Sequence, residues 1–318
     1  MYKRQAAVSA ERINEVISAE KSIADKPDAA TFDKASLRGD VTFDHVSFRY
    51  PDANEDVLTD ICFTANAGET TAVIGSTGSG KSTLIQQLNG LIQPTSGRVI
   101  VDGFDMNEKK QRAAGRKLVG MVFQYPDYQL FDSTVYDDIC FGLKNLKLPE
   151  EEIRTRAYEA MELVGLDTKQ DAEKSPFELS GGKKRRAALA GIIAMRPKYL
   201  VMDEPMAGLD PSGRREVMKT IEGLRAELGC SVIMVSHSME DVARSAERIA
   251  VLNNGKVYAV GTPTEIFSRT AELASIGLDT PATAQLVEKL RGMGCKIPDG
   301  LYTNEKFEKW LKEVLHNA

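Results

Sequence analysis

A short glycine-rich stretch, lying between an apolar run and a helix-forming segment, most constrains what this chain can fold into. Residues 75–82 read Gly-Ser-Thr-Gly-Ser-Gly-Lys-Ser and satisfy every constrained position of the pattern G-x-x-x-x-G-K-[ST]. The preceding run Thr71–Ile74 is short, partly β-branched and bounded by glycines, as is typical of a buried parallel strand. The segment from Lys81 to about Leu91 predicts a helix that stops before Pro94. Strand, loop and helix in this order predict an α/β protein with a parallel core sheet.

The composition of this loop suits the binding of phosphate groups. Glycines let successive backbone N–H groups turn toward phosphate oxygens, and the following helix adds its dipole. Lys81 is expected to reach the β- and γ-phosphates of a nucleotide, and the Ser82 hydroxyl is expected to bind Mg²⁺. The predicted nucleotide-binding residues of this loop are Gly75, Ser76, Thr77, Gly78, Ser79, Gly80, Lys81, Ser82 and Thr83.

Two further apolar runs end in residues that suit phosphate chemistry. The run Tyr199–Met202 leads into Asp203 and Glu204, which would point into the ligand crevice at the carboxyl end of a parallel strand. Asp203 is predicted to hold Mg²⁺, and Glu204 to orient or deprotonate an attacking water. His237 ends the run Val232–Ser236 and would donate to a γ-phosphate if that strand neighbours the acidic one. A solvated acidic strand end and a structural histidine are the alternatives.

A second glycine cluster precedes another predicted helix. Ser180 is predicted as its N-cap, and Gly181 and Gly182 would expose N-terminal amides as a second anion site. A single nucleotide does not need two phosphate-binding helix termini from one chain. The basic run Lys183–Arg186 is more often a solvated helix face than a nucleic-acid contact.

These motifs, in this order, resemble the ATP-binding cassette (ABC) ATPases, the motor subunits of ABC transporters, over about residues 41–265. The resemblance implies a P-loop NTPase fold with a mixed sheet, an antiparallel β subdomain and a helical subdomain, using ATP and Mg²⁺. It implies that Tyr50 stacks on adenine and that Gln124 senses Mg²⁺ and couples the site to a membrane helix. It also implies that Asp210 belongs to an ATP-contacting loop, that Glu204, His237 and Gln124 are catalytic, and that Gln124 is a Mg²⁺ ligand together with Ser82 and Asp203.

The resemblance accounts for the surplus anion site. It implies that two cassettes pair head to tail, so that Ser180, Gly181 and Gly182 of one chain cap the γ-phosphate held by the other. The implied partners are a second ABC ATPase chain and integral membrane subunits, with no nucleic acid, at the cytoplasmic face of the cell membrane. Lys183 stands where the family most often has glutamine, and would add positive charge near the partner's nucleotide.

Several segments indicate which branch of the family the chain resembles, and they point to different branches. Residues 125–131, 185–195 and 207–214 resemble energy-coupling-factor importers of vitamins or transition-metal ions, and the helical tail after Pro263 resembles the extension through which those ATPases pair. Residues 10–16 and 37–43 instead resemble the linker that joins an exporter's membrane domain to its cassette. An exporter cassette separated from its membrane domain therefore remains an alternative. A soluble cassette ATPase acting on nucleic acid or ribosomes is another, though no sustained heptads occur between the Walker motifs.

The chain divides into three predicted parts. Residues 1–40 form a polar linker with a short amphipathic helix, residues 41–265 the nucleotide-binding domain with a helical subdomain at about 125–195, and residues 266–318 a helical extension. The last helix carries an apolar stripe from Phe307 to Leu315 that must be covered by this chain or another. Within the domain, Val41–Phe48 is expected to form a strand pair. Further strands are expected at 61–64, 96–102, 119–123, 199–202, 231–235, 249–252 and 256–260, and helices at 150–164, 183–195 and 212–228.

Composition limits the remaining classes. The longest apolar run, Ala187–Met195, spans nine residues, whereas a bilayer span needs about 18. The amino terminus has no charged-then-apolar signal pattern, so export is not expected. A formal net charge of −5 disfavours generic binding to nucleic acid. The four cysteines are far apart and are expected to be reduced core thiols of a cytosolic protein.

Overall fold

The computed structural model describes residues 39–51 and 53–316. The predicted amphipathic helix and linker of the first 38 residues, and the exporter-like segment at 10–16, lie outside the described residues. No helix in the described part is both long and apolar enough to span a bilayer.

Ten strands are described, and they form two sheets. Their bounds are β1 (Val41–Phe48), β2 (Leu58–Ala65), β3 (Thr70–Gly75), β4 (Ser96–Val101), β5 (Phe104–Asp105), β6 (Val119–Val122), β7 (Tyr199–Asp203), β8 (Ser231–Val235), β9 (Arg248–Asn253) and β10 (Lys256–Gly261). The smaller sheet is antiparallel with strand order β2-β1-β4-β5. The larger has the order β10-β9-β3-β8-β7-β6 and is parallel except for the β9–β10 hairpin.

Eleven helices surround these sheets in the described residues. Their bounds are α1 (Lys81–Ile85), α2 (Lys109–Arg116), α3 (Val135–Asn145), α4 (Glu150–Leu163), α5 (Gly181–Ile193), α6 (Pro211–Leu228), α7 (Met239–Ser245), α8 (Pro263–Phe267), α9 (Thr270–Ser275), α10 (Ala282–Gly292) and α11 (Asn304–His316). Short 3₁₀ turns cover Pro126–Gln129 and Pro176–Glu178. The α/β fold expected from the sequence is thus confirmed, with most predicted bounds shifted by one or two residues.

The core lies on both faces of the parallel strands. Every residue of β3, β7 and β8 is buried, which explains why these strands are continuous apolar runs. Because side chains alternate along a strand, Val73 and Val201 face the antiparallel sheet and α1, whereas Ala72 and Leu200 face α3, α4 and α5. The two apolar clusters therefore hold the parallel strands from opposite sides.

The expected strand pair at the start of the domain is wrong, since Val41–Phe48 is one strand. Its register against β2 and β4 shifts after Phe43, where His45 adopts a left-handed backbone with φ of 51°. The bulge inserts an extra residue, so Phe43 and Val46 both face the core although their spacing breaks the alternation. Two alternating halves of one bulged strand resemble two strands in sequence.

The helix expected to reach Leu91 is also shorter than predicted. α1 ends at Ile85, and the chain continues in tight turns in which Leu88 N–H donates to the Ile85 carbonyl and Gly90 N–H to the Gln87 carbonyl. Three-residue spacing is characteristic of 3₁₀ geometry, which commonly ends an α-helix.

Helix α3 is missing from the sequence predictions, although a signal for it exists. Thr134 accepts a hydrogen bond from the Asp137 N–H as N-cap. Val135, Ile139 and Leu143 recur at helical spacing and are buried.

The cysteines only partly follow the prediction. All four are unpaired, and Cys140 and Cys230 are buried. Cys62 and Cys295 are exposed, so the expectation of core thiols is wrong for these two. Cys62 lies on the outward face of β2, beside the surface ion pair of His45 with Asp60.

The helical tail leaves its apolar stripe largely uncovered. No residue of α11 is buried, and Leu311, Val314 and Leu315 are 40%, 43% and 67% exposed. A salt bridge of 3.1 Å joins Glu305 at the start of α11 to Arg244 of α7. The described part of the chain thus holds the first turn of α11 and presents the rest to solvent.

An ion pair between a buried carboxylate and a partly exposed lysine links the two sheets. The Asp102 carboxylate, just after β4, accepts hydrogen bonds from the Gly39 N–H at 2.8 Å and from Lys198 Nζ, just before β7, at 2.7 Å. We expect Asp102→Asn to lower the free energy of unfolding by about 2 kcal/mol, because it removes the buried charge of this pair. Urea denaturation measures this. Asp44→Asn, which breaks an exposed pair with Arg98, is the control and should change stability by less than about 1 kcal/mol. Equal effects of the two substitutions would contradict the interpretation.

Candidate nucleotide-binding and catalytic site

The glycine-rich loop joins the carboxyl end of β3 to the first turn of α1. A Cβ atom at Gly75 would collide with the Ser79 side chain and the Leu252 carbonyl. Gly80 has φ of 94°, and a Cβ there would collide with the Leu58 side chain. Only glycine fits these two positions, so the motif is required by close backbone packing as well as by its ligand chemistry.

Lys81 folds back over this loop. Its Nζ donates to the Gly75 carbonyl at 2.8 Å and to the Ser76 carbonyl at 3.0 Å. Burial lowers the pKa of Lys81, while the nearby carboxylates of Glu204 and Asp203 act to raise it. The ammonium group therefore lies among loop carbonyls that phosphate oxygens could replace.

Asp203 ends β7 with a carboxylate that its own chain satisfies only in part. The residue is 6% exposed, and its Oδ1 has no hydrogen-bond partner among residues 39–51 and 53–316. Burial raises its pKa, opposed by a hydrogen bond with Ser82 and by the charge of Lys81. An orphaned buried carboxylate oxygen beside a serine hydroxyl is a donor set that fits Mg²⁺, which prefers hard oxygen ligands.

Glu204 and His237 are in direct contact. Parallel pairing places Asp203 opposite Val235, so β7 and β8 end side by side as the sequence anticipated. Glu204 has a left-handed φ of 49°, and its N–H donates to the Val235 carbonyl at 3.0 Å. Its Oε2 lies 2.7 Å from His237 Nδ1. The unusual backbone turns the carboxylate toward the imidazole, which is 65% exposed.

Tyr50 lies beside α1, and Gln124 follows β6. The Tyr50 ring is exposed, packs edge-on against Phe48, and places its hydroxyl 3.4 Å from Thr83 Oγ1 in α1. Gln124 is exposed two residues after β6, which pairs in parallel with β7. It therefore follows the same sheet edge as Asp203.

The second glycine cluster faces away from the chain's interior. Ser180 is exposed at the N-cap position of α5, although its side chain makes no capping hydrogen bond. A Cβ atom at Gly181 or Gly182 would meet no atom within 4 Å, so the space around this turn is open. Asp210 N-caps α6 and accepts a hydrogen bond of 2.8 Å from the Gly213 N–H.

The charge of Lys183 is directed into its own chain. Its Nζ lies 2.8 Å and 2.7 Å from the two carboxylate oxygens of Asp171, whose side chain is fully buried. Lys174 also contacts Asp171, at 3.2 Å. A buried carboxylate thus holds the ammonium of Lys183, whose side chain is 38% exposed, and the expected positive charge near a partner's nucleotide stays a prediction.

Arg185 is a residue of this region whose importance is missing from the sequence predictions. It lies in α5, is 8% exposed, and donates to the carbonyls of Pro205 at 3.2 Å and Ala207 at 3.0 Å. A signal was available, because Arg185 shares the helical spacing of the buried residues Leu189 and Ile192.

The site combines a phosphate-type loop with an acidic pair and a histidine at adjacent strand ends, and the chain has a separate exposed glycine turn. Together these features define an ABC-type P-loop ATPase. The family model described as ABC transporter matches residues 58–207. The chain belongs to this family, as the sequence resemblance indicated.

Individual relatives agree with this assignment. The chain is 48% identical over 282 residues to the "Energy-coupling factor transporter ATP-binding protein EcfA2" of Caldanaerobacter subterraneus subsp. tengcongensis, covering 87% of this chain and 98% of that protein. It is 50% identical to EcfA2 of Clostridium perfringens, covering 79% and 88%.

Two solved structures are similar to the fold described here. One is cbiO1 of Clostridium perfringens, described as part of the ABC transporter complex cbiONQ, with 37% identity, a TM-score of 0.67 and coverage of 78% of this chain and 98% of that one. The other is a dimeric ATP-binding cassette bound to ADP and Pi, with 27% identity, a TM-score of 0.62 and coverage of 70% and 98%.

The buried carboxylate of Asp203 is expected to lower the stability of the nucleotide-free protein while serving its function. Because burial raises the pKa of Asp203, the native state binds its proton more tightly than the unfolded state does. Stability from this group is therefore lost as pH rises through the folded pKa. We expect Asp203→Asn to raise the thermal unfolding midpoint of the nucleotide-free protein at pH 7.5, with the gain shrinking as pH falls toward the ordinary aspartate range. A destabilised variant at pH 7.5 would contradict this.

Proposed function

We propose that this chain is the ATP-hydrolysing motor subunit of an ABC transporter of the energy-coupling-factor type, which imports a vitamin or a metal ion. The observation that carries the proposal is the gathering of Asp203, Glu204 and His237 at adjacent strand ends beside the loop at 75–82. The relatives named as energy-coupling-factor subunits, which this chain matches over most of their length, support the transporter type. The proposed location is the cytoplasmic face of a membrane, on integral subunits.

Nucleotide binding is proposed to replace contacts that the chain now makes with itself. The amides of residues 75–83 and the Lys81 ammonium bind the phosphates of ATP, with the ammonium exchanging the carbonyls of Gly75 and Ser76 for phosphate oxygens. The exposed ring of Tyr50, held beside Thr83, stacks on adenine.

The proposed Mg²⁺ ligands are Ser82, Asp203 and Gln124. When bound, Mg²⁺ neutralises charge on the β- and γ-phosphate oxygens. The orphaned Asp203 Oδ1 gains a partner in this arrangement, which would relieve the cost of leaving that oxygen buried and unpaired.

The Glu204–His237 contact is proposed to separate for catalysis. Glu204 then accepts a proton from the attacking water, and His237 donates a hydrogen bond to the γ-phosphate. While the imidazole occupies Glu204 Oε2, that oxygen is not free to receive a water proton. The 2.7 Å contact thus favours a resting arrangement, and the nucleotide provides the alternative partner for the histidine.

A second ABC ATPase chain is proposed to complete each site. The open turn at Ser180, Gly181 and Gly182 caps the γ-phosphate bound to the partner, with Asp210 near the same contact. The dimeric cassette among the similar solved structures supports such pairing. In this arrangement residues 41–265 form the nucleotide-binding domain, with the helical subdomain at about 125–195, and residues 266–318 form the extension.

Substitution of the water-activating residue tests the reaction. Glu204→Gln should retain ATP affinity while lowering turnover at least a hundredfold, because the amide cannot accept the water's proton. It should also trap an ATP-dependent dimer, seen by sedimentation. Steady-state phosphate release and an ATP titration measure the two effects. Hydrolysis at the wild-type rate would refute the proposed role of Glu204.

The exposed stripe of α11 is proposed as a contact between ATPase chains. We expect Leu311→Asp together with Val314→Asp to weaken nucleotide-free association at least tenfold in sedimentation equilibrium, because the charges would be desolvated in an apolar interface. Lys309→Glu, on the polar side of the same helix, is the matched control and should leave association unchanged. Unaltered association of the double variant would remove the stripe from the interface.

A further inference from the structure

Arg185 connects two parts of the molecule that serve different nucleotides in the proposed dimer. It lies in α5, five positions after Ser180. Its Nη1 and Nη2 donate to the carbonyls of Pro205 and Ala207, at 3.2 Å and 3.0 Å. These carbonyls belong to the short segment that leads from Glu204 to Asp210. The planar guanidinium therefore connects α5, which begins at the Ser180 turn, to the segment that follows β7.

The burial of this cation is unusual. Its two hydrogen-bond partners are neutral carbonyls, and the ion pairs found among the described residues do not include it, although the negative charge of Asp127 acts on it without a direct contact. Burying a charge without an ionic partner is unfavourable unless hydrogen bonds satisfy it. Arginine's fixed fork of donors suits two carbonyls at once, which a lysine ammonium or an apolar side chain cannot match.

A third segment meets Arg185 at the same point. Arg185 lines an apolar cavity together with Pro126 of the 3₁₀ turn after Gln124, and with Pro205. The Tyr125 ring lies against Gly208, where an added Cβ would be 3.7 Å from Tyr125 Cε1. The turn after Gln124, the glycine-turn helix and the segment at 205–208 thus pack around one side chain.

The next residue gives an internal comparison. Arg186 is about one-third exposed and bonds the Gly165 carbonyl and Glu216 at 3.2 Å each. Its hydrogen bonds stay outside the segment between Glu204 and Asp210, although it lines the same cavity as Pro205. The two adjacent arginines of this helix therefore differ in burial and in hydrogen-bond partners.

We propose that Arg185 is a positioning residue that ties the segment carrying Glu204 and Asp210 to the helix carrying the Ser180 turn. This inference rests on the proposed function. Through Arg185, the chain's own hydrolysis centre and the Ser180 turn, which caps the partner's nucleotide, move as one body. A displacement of the 205–208 segment on hydrolysis then shifts the Ser180 turn, and the reverse also holds.

The test compares Arg185→Met, Arg185→Lys and the control Arg186→Met in the full-length protein. Met keeps most of the apolar volume but removes the fork and leaves the carbonyls of Pro205 and Ala207 without that donor, so the unfolding midpoint should fall. Amide hydrogen exchange should accelerate at least tenfold in both 181–184 and 205–210 for Arg185→Met, and in neither for Arg186→Met. Faster exchange in one segment alone, or in neither, would overturn the link.

Kinetics separates positioning from general structure. For Arg185→Met we expect kcat to fall at least tenfold with KM changed less than threefold, because the loop at 75–82 is untouched. Arg185→Lys should be intermediate, since its ammonium can satisfy one carbonyl at a time. It also carries the exchange comparison if the Met variant folds poorly. Wild-type kcat in both variants would refute the proposal.

The parent chain distinguishes this failure from failure of the proposed function. If the unsubstituted chain hydrolyses no ATP above background, the proposed function falls and the positioning role with it. If that parent behaves as expected and Arg185→Met has no effect, only the role of Arg185 is refuted.

Discussion

The parallel pairing of β3 with β8 and of β8 with β7 is the constraint on which the rest of the structure depends. Because the three strands run in the same direction, their carboxyl ends share one edge of the sheet. That edge receives the glycine-rich loop from β3, the acidic pair from β7 and His237 from β8. The buried apolar strands hold these groups in register, so the chemistry depends on a core that does not itself touch a nucleotide.

The site is held in a conformation that its own chain satisfies incompletely. Asp203 Oδ1 has no partner among the described residues, and Glu204 adopts a left-handed backbone to reach His237. Both features are locally unfavourable, whereas Lys81 is satisfied by loop carbonyls, and in the proposed function all three are relieved or redirected by ATP and Mg²⁺. Such unfavourable local features are common where function requires groups to remain available for a ligand.

The chain presents complementary parts of two sites rather than one complete site. The Ser180 turn is open to solvent, while the side chains behind it are firmly anchored. Lys183 is held by buried Asp171, and Arg185 by the backbone between Glu204 and Asp210. The Arg185 anchor joins the proposed cap for a partner's nucleotide to the segment after the chain's own catalytic strand, which gives a physical basis for coupling two sites across a dimer.

Local pattern was sufficient to predict the α/β class, the phosphate-type loop and the residues at the ends of β7 and β8, because strand and helix periodicity and glycine spacing are properties of neighbouring residues. Local pattern did not predict the outcome at positions where a residue can either be exposed to solvent or contact a partner elsewhere in the chain. The bulge at His45, the exposure of Cys62, the pairing of Lys183 with Asp171 and the burial of Arg185 all depend on segments far apart in the chain. Only tertiary packing decides these, since whether a charge is buried and which group meets it are settled when the sheets and helices close around it.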